Sequence, residues 1–292
     1  MRRQPWCGPH QCLPRAASSL RRMPARRSSP KLPKAAASSP DLAALGFRIA
    51  SSGPHTSKTL MLQELVALFE AVPADAPTKA YRIAIVEENV LGKRTATTRK
   101  ETASRLKALH GLDPSKPMFR VMRRLWDIDS QARPLLALLT GLARDPLLRS
   151  SAPLVMGMAP GTVLSRSDLI EAIRAFTLER LSPRVLTAVA QNTASSWTQT
   201  GHLQGKVRKV RQSVTPSPTV VAYSLWLGYS EGRRGKGLLN TLWTSVLDCS
   251  PSALIELALQ AKRLGLLEAS HGGGVLAIDP TGLDPLQERA RS

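Results

Sequence analysis

The side chains of this chain best placed to do chemistry are cations. Lys206, Arg208, Lys209 and Arg211 stand close together, and Arg233, Arg234 and Lys236 follow in a stretch flanked by Gly232, Gly235 and Gly237. Ammonium and guanidinium groups at that density can donate charge-assisted hydrogen bonds to phosphate oxygens. From Arg180 to Leu247 the chain carries nine Lys or Arg and a single acid, Glu231. A surface that serves only solubility usually mixes signs, so a phosphate-binding stripe is expected here. The glycines are expected to let the backbone approach closely and to leave amides free for phosphate oxygens. A third cluster, Lys93, Arg94, Arg99 and Lys100, surrounds the start of an expected helix, where free amides and the dipole favour anions. Glu87, Glu88 and Glu101 dilute it.

Catalytic constellations are harder to find. Trp197 with Ser195, Ser196 and His202 nearby invites a nucleophilic or stacking role, but a serine needs a poised base and the chain has five histidines. Aromatic residues are only 4% of the chain, too few for a base-stacking platform. Asp127 and Asp129 read as helix-end caps rather than metal ligands. No Cys/His metal spacing and no glycine-rich phosphate loop after a strand appears. The expectation is a protein with no catalytic site, no metal and no cofactor.

The elements that must position these cations are mostly helical. Leu60, Leu62, Leu65, Val66, Leu68 and Phe69 have the three-and-four spacing of an amphipathic helix that stops near Pro73. Further helices are expected over 79–91, from a capping box at Thr98 and Glu101 to Gly111, and over 117–126, 131–143 and 146–156. After a connection at 159–164, helices resume at Ser165 and at Ser182–Pro183, and a loop spans 202–219. The last part reads as helix (238–247), helix (from Ser250–Pro251 to Gly265), and a β-hairpin with strands at 266–270 and 275–279. That is the order of a winged helix, whose second helix would offer Gln260, Lys262 and Arg263 as a reading surface. The expected fold is therefore mainly α, helical bundles with a C-terminal winged-helix-like element of two helices and a short hairpin. Its expected parts are a disordered basic head (1–45), an N-terminal helical domain (46–158) and a C-terminal domain with the basic loops (159–285).

Bulk composition narrows the partners. Against 41 Lys and Arg stand 21 Asp and Glu, a net of +20 over 292 residues, which draws polyanions. The first 40 residues hold nine cations and no acid, yet more than half of the excess lies beyond them. That head imitates a mitochondrial transit peptide, but its prolines oppose the amphipathic helix such a peptide needs. Cys7, Cys12 and Cys249 make no disulfide framework, and no run of 18 apolar residues occurs. A cytoplasmic protein with no membrane partner is expected.

Three segments carry a resemblance: ENVLGKRTATTRKETASRLKALHGL from Glu88, PMFRVMRRLWDID from Pro117, and NTASSWTQTGHLQGKVRKVR from Asn192. They resemble the BrxA family of BREX bacteriophage-defence systems, long labelled inner-membrane proteins, over roughly residues 46–283. The resemblance implies an all-helical fold akin to the antitermination factor NusB, DNA binding beside a larger defence machinery, and no catalytic residues. The family pattern matches at Asn89, Thr95 and Arg105, which would be structural or phosphate-facing. It matches again at Ser196, Trp197, Gly201 and His202, which would shape the loop presenting Lys206 to Arg211. The reading that follows is a non-enzymatic component of a prokaryotic anti-phage defence system that binds nucleic acid, double-stranded DNA first. A protein–protein adaptor among other defence-system proteins and an RNA binder are the alternatives.

Overall fold

The computed structural model describes residues 41–48, 52–178 and 180–286; the basic head up to residue 40 lies outside the described residues. The described residues form one compact unit, and one apolar core runs from Phe47 to Leu283 across the connection at 159–164. Within the head expected to end at residue 45, a short helix is already in place: α1 (Leu42–Leu45), capped by the Asp41 carboxylate. The architecture is mainly helical, with two small antiparallel sheets of two strands each.

The first half is α2 (Leu62–Ala71), α3 (Thr78–Val86), α4 (Ala96–His110), α5 (Pro117–Ile128), α6 (Arg133–Arg144), α7 (Pro146–Ser150) and α8 (Ala152–Gly157). α5 shows how pattern becomes packing. Met118, Phe119, Val121, Met122, Leu125 and Trp126 are all buried. Phe69 packs edge-to-face against Tyr81, Phe119 and Trp126 at 5.2–6.1 Å. On the same helix the buried Arg123 donates to the carbonyls of Phe69 and Val72 at the end of α2 and pairs with Asp127. Arg144 likewise closes the end of α4, donating to Ala108, Lys107 and Gly46 carbonyls.

The second half is α9 (Arg166–Thr177), α10 (Pro183–Gln199), β1 (Leu203–Gln204), β2 (Val210–Arg211), α11 (Pro218–Ser230), α12 (Leu242–Ser245), α13 (Pro251–Arg263), β3 (Glu268–Gly272) and β4 (Val275–Asp279). α11 is apolar on every face, and every residue from Thr219 to Gly228 is buried, as a central helix requires. It packs against α5, α6, α12 and α13, and its Tyr223 hydroxyl meets Thr140 of α6 at 2.9 Å.

Several local expectations hold, and others need correction. Ser165, Ser182 and Ser250 cap α9, α10 and α13 through the amide three residues on, and β3 and β4 pair around Gly273–Gly274. The capping box at Thr98 is wrong: Thr95 is the cap, accepting from the Thr98 amide, so the helix begins three residues earlier. The helix expected over 238–247 is a 3₁₀ turn (Gly235–Leu239) followed by the four-residue α12. The loop expected over 202–219 contains the β1–β2 hairpin and the start of α11. Among the described residues no helix is long and apolar enough to cross a membrane.

Candidate nucleic-acid interface

The hairpin β1–β2 is short, but its base is heavily anchored. β2 bonds to β1 on one side and to the connecting segment on the other: Gly161 donates to Arg211 O (2.9 Å), Arg211 to Thr162 O (2.8 Å), and Leu164 to Lys209 O (2.8 Å). The turn needs glycine at 205. Its φ is +109°, and a Cβ there would lie 2.1 Å from the Arg208 carbonyl oxygen. At the tip Lys206 and Arg208 are exposed, and Val207 between them is 98% exposed.

Arg211 overturns its expected role. It is only 2% exposed, it donates to the Val155 and Gln212 carbonyls, and it is paired with Asp248 at 2.5 Å. A guanidinium held this way anchors the hairpin to α8 and to the end of α12 rather than meeting phosphate. His202 works beside it, buried, with its ring 2.8 Å from the Val246 carbonyl and 3.0 Å from the Thr200 hydroxyl. Arg211→Ala is expected to lower stability by about 3–5 kcal/mol, because Asp248 is left without its cation and the Val155 and Gln212 carbonyls lose a donor. A denaturant titration checks it, and a loss below about 1 kcal/mol would argue for a surface role after all.

Lys209 is intermediate. It is half-buried, donates to Thr198 Oγ1 (2.8 Å) and Gly205 O (3.2 Å), and burial lowers its pKa. Lys206 and Lys209 line a recess of about 420 Å³ with Arg166 at the start of α9 and with Gln191 and Ser195 of α10. Arg166 was not legible in sequence, since about forty residues separate it from the basic turn and only folding brings them together.

The second knot sits against a different element. The Gly235–Leu239 turn packs on β4 and α11, with Gly235 close to the Leu276 carbonyl. Arg233, Arg234 and Lys236 are all exposed. Arg234 lies over the Tyr229 ring, 3.4 Å from its centroid, and donates to the Tyr229 and Arg233 carbonyls. The expected free glycine amides are partly used: Gly232 donates to Tyr229 O and Gly237 to Arg234 O. The lone acid, Glu231, accepts from Trp243 Nε1 at 2.9 Å.

The third cluster does not form one patch. Lys93 pairs with Glu64 at 3.1 Å, and Arg99 is half-buried with an unpartnered Nε. Arg94 is exposed, and Lys100 faces a groove between α3 and α4. The C-terminal reading surface also shrinks, because Lys262 donates to the Ala269 carbonyl (3.1 Å) and pairs with Glu268 (3.4 Å), bracing α13 on β3. That leaves half-buried Gln260 and exposed Arg263.

One constellation went unseen in the sequence. Asp145 Oδ2 accepts from His55 Nδ1 at 2.8 Å, and His55 Nε2 stands 2.8 Å from Ser196 Oγ. This is the order and spacing of a nucleophilic triad. Every member is fully buried, however, and Ser196 Oγ is already engaged by the Leu60 amide (2.8 Å) and the Asn192 carbonyl (2.9 Å). The three side chains lock Pro54–Thr56, α7 and α10 together, with no open face for a substrate. Gly53 is part of the fit, since a Cβ there would collide with the Asp145 carboxylate at 1.9–2.5 Å. Among the described residues no group of His, Cys, Asp and Glu is arranged to hold a metal.

Asn89, Thr95, Ser196, Trp197, Gly201 and His202, singled out by the resemblance, fall into structural places. Asn89 adopts a left-handed backbone and its side chain accepts from the Lys93 amide, while Thr95 caps α4. Trp197 is buried and donates to Ser151 Oγ, and Gly201 has a φ of +86°. No protein-family model matches the sequence, and no curated protein matches it.

Proposed function

We propose that this chain is a non-enzymatic binder of nucleic-acid backbone, with double-stranded DNA as its first target, acting through exposed cations on two rigid turns. One observation carries the reading. Lys206 and Arg208 are held out on a hairpin tip whose base is fixed by buried hydrogen bonds and by Arg211–Asp248, and among the described residues no carboxylate pairs with either tip cation. Arg233 and Lys236 add a second exposed pair. Long cations presented on a rigid support lose less entropy on meeting phosphate than the same groups on a mobile loop. The resemblance to BrxA adds a setting to this proposal, a component of a prokaryotic anti-phage defence system.

Four neutralised phosphates give a slope of log affinity on log salt of about −3.6 for duplex DNA, and so a loss of about a hundredfold from 50 to 200 mM salt. Lys206→Ala with Arg208→Ala should reduce the slope to about −1.8, and adding Arg233→Ala and Lys236→Ala should leave little binding. A fluorescence-anisotropy series across salt reads this directly. The site assignment fails if the four-residue variant keeps the wild-type slope.

Val207 favours a second reading, that of an adaptor. A β-branched side chain 98% exposed between two cations offers an apolar contact to a protein partner with acidic flanks. Nuclease treatment separates the two, since it releases a partner bridged by nucleic acid and leaves a direct one bound. Competition between duplex DNA and structured RNA at one fixed salt decides the nucleic acid.

A further inference from the structure

We propose that the groove between α3 and α4 binds a small organic phosphate, meaning a ligand with an apolar body that carries one or more phosphate groups. The groove encloses about 600 Å³, within the size range of small-molecule sites. Its floor is apolar: Tyr81, Ile85 and Leu112 are buried, and Val86 and Ala103 are half-buried beside them. Its rim is cationic. Lys79 and Arg82 stand three apart on one face of α3, and Lys100 and Lys107 stand two turns apart on one face of α4.

All four cations are exposed, and none of the lining residues is an acid. Among the described residues the carboxylate that pairs with a rim cation is Glu87, 3.5 Å from Arg82, in a pair of which both partners are more than half exposed. Water and salt screen such a contact, so Arg82 remains able to meet an anion. Asp113, next to the groove, has its side chain committed to the Thr78 hydroxyl (3.0 Å) and the Ser115 amide (3.0 Å).

Charge and apolar surface together select the ligand class. A duplex backbone presents phosphates and sugars but no apolar body, and it leaves the half-buried Val86 and Ala103 uncovered. Residues 1–40 of this chain carry nine cations and no acid, so the rim repels them. A molecule with an apolar part seats on Val86 and Ala103, over the buried Tyr81 and Ile85, while its phosphate reaches the four cations. Two sources share that chemistry, a nucleotide with its base on the floor and an alkyl or acyl phosphate with its chain there. The site is independent of the 206–236 surface and stands whether or not that surface binds DNA.

The experiment titrates the full chain, free of nucleic acid, with mant-ATP and with octyl phosphate, and uses octanol as the uncharged control. At least one of the two phosphates is expected to bind one-to-one, and Arg82→Glu with Lys100→Glu to weaken it at least about tenfold. Ala103→Phe, which fills the floor, should weaken it as well, whereas Lys206→Glu with Arg208→Glu should change nothing. Binding of mant-ATP alone identifies a nucleotide, and binding of octyl phosphate alone identifies an alkyl or acyl phosphate. The proposal is overturned if neither binds at about 1 mM, if octanol binds as well as octyl phosphate, or if the charge-reversed protein binds unchanged. A thermal melt confirms that the charge-reversed protein, altered only at exposed positions, is folded.

Discussion

Asp145→Ala is expected to cost about 3–5 kcal/mol, out of a total stability of about 5–15 kcal/mol for a domain of this kind. The carboxylate is buried and accepts four hydrogen bonds: from the His55 amide and ring through Oδ2, at 2.9 and 2.8 Å, and from the Leu147 and Leu148 amides through Oδ1, at 2.9 and 3.4 Å. Burial alone would raise its pKa, but the hydrogen bonds and charge of His55 and the Leu147 amide outweigh it and hold the carboxyl below its ordinary value. Alanine would leave those donors unpaired in a closed interior and open a void beside Gly53. Asp145→Asn should be milder, since one acceptor oxygen survives. Ser196→Ala should cost about 1–3 kcal/mol, because it strips the Leu60 amide of its acceptor. Urea denaturation followed by circular dichroism measures all three. A near-neutral Asp145→Ala would mean that the triad geometry is not a structural lock and would reopen a catalytic reading.

Acidification from pH 7 towards 4 is expected to remove about 3 kcal/mol for each of two histidines. Burial is the main cause that lowers both His110 and His202 to about 4. His110 has Nε2 2.9 Å from the Leu60 carbonyl, while its Nδ1 is buried without a partner, so a second proton there would be an orphan donor. The Leu60 carbonyl acts in the opposite direction, and Arg144 and His55 lower the value further. For His202 the Val246 carbonyl and Asp248 oppose the burial effect, and Arg211 reinforces it. Both groups are lowered in the folded state, so the unfolded chain takes up protons first, at its ordinary value near 6.5. Stability is then full above that pH, falls as pH drops towards 4, and stays low below it. Asp145 adds a further loss at lower pH, as its depressed carboxyl is finally protonated. Denaturation free energies at pH 7, 5.5 and 4.5 test the slope, and replacing either histidine with glutamine should roughly halve it. A flat profile between pH 7 and 4.5 rules out the neutral buried assignment.

Much of the scaffold could be read from local pattern. Serine followed by an amide donor three residues on, proline at the first helical position and glycine just past the last turn act through a few neighbouring atoms, so Ser165, Ser182, Ser250 and Gly201 declared their places. The hairpin at β3–β4 was equally legible, because two glycines at positive φ between apolar runs have few other uses. Errors arose where two local solutions compete. Thr95 and Thr98 can each cap a helix, and Thr95 does so, its hydroxyl accepting from the Thr98 amide and meeting the Thr98 hydroxyl.

Sequence by itself determined that this chain is mainly helical and that its surface has far more cations than acids, because composition and short-range geometry set both. Only tertiary structure decided which cations are available. Arg211 and Lys93 looked like Lys206 and Arg208 in the sequence, yet contacts with Asp248 and Glu64 hold them, and Lys262 is braced on the Ala269 carbonyl. Arg166 joined the basic turn, and Lys79 and Arg82 of α3 joined Lys100 and Lys107 of α4, through packing that no spacing rule reports. The reason is range. Helix caps and turns are fixed within about four residues, whereas the pairing or burial of a charge depends on distant partners, as Arg211 depends on Asp248, 37 positions away.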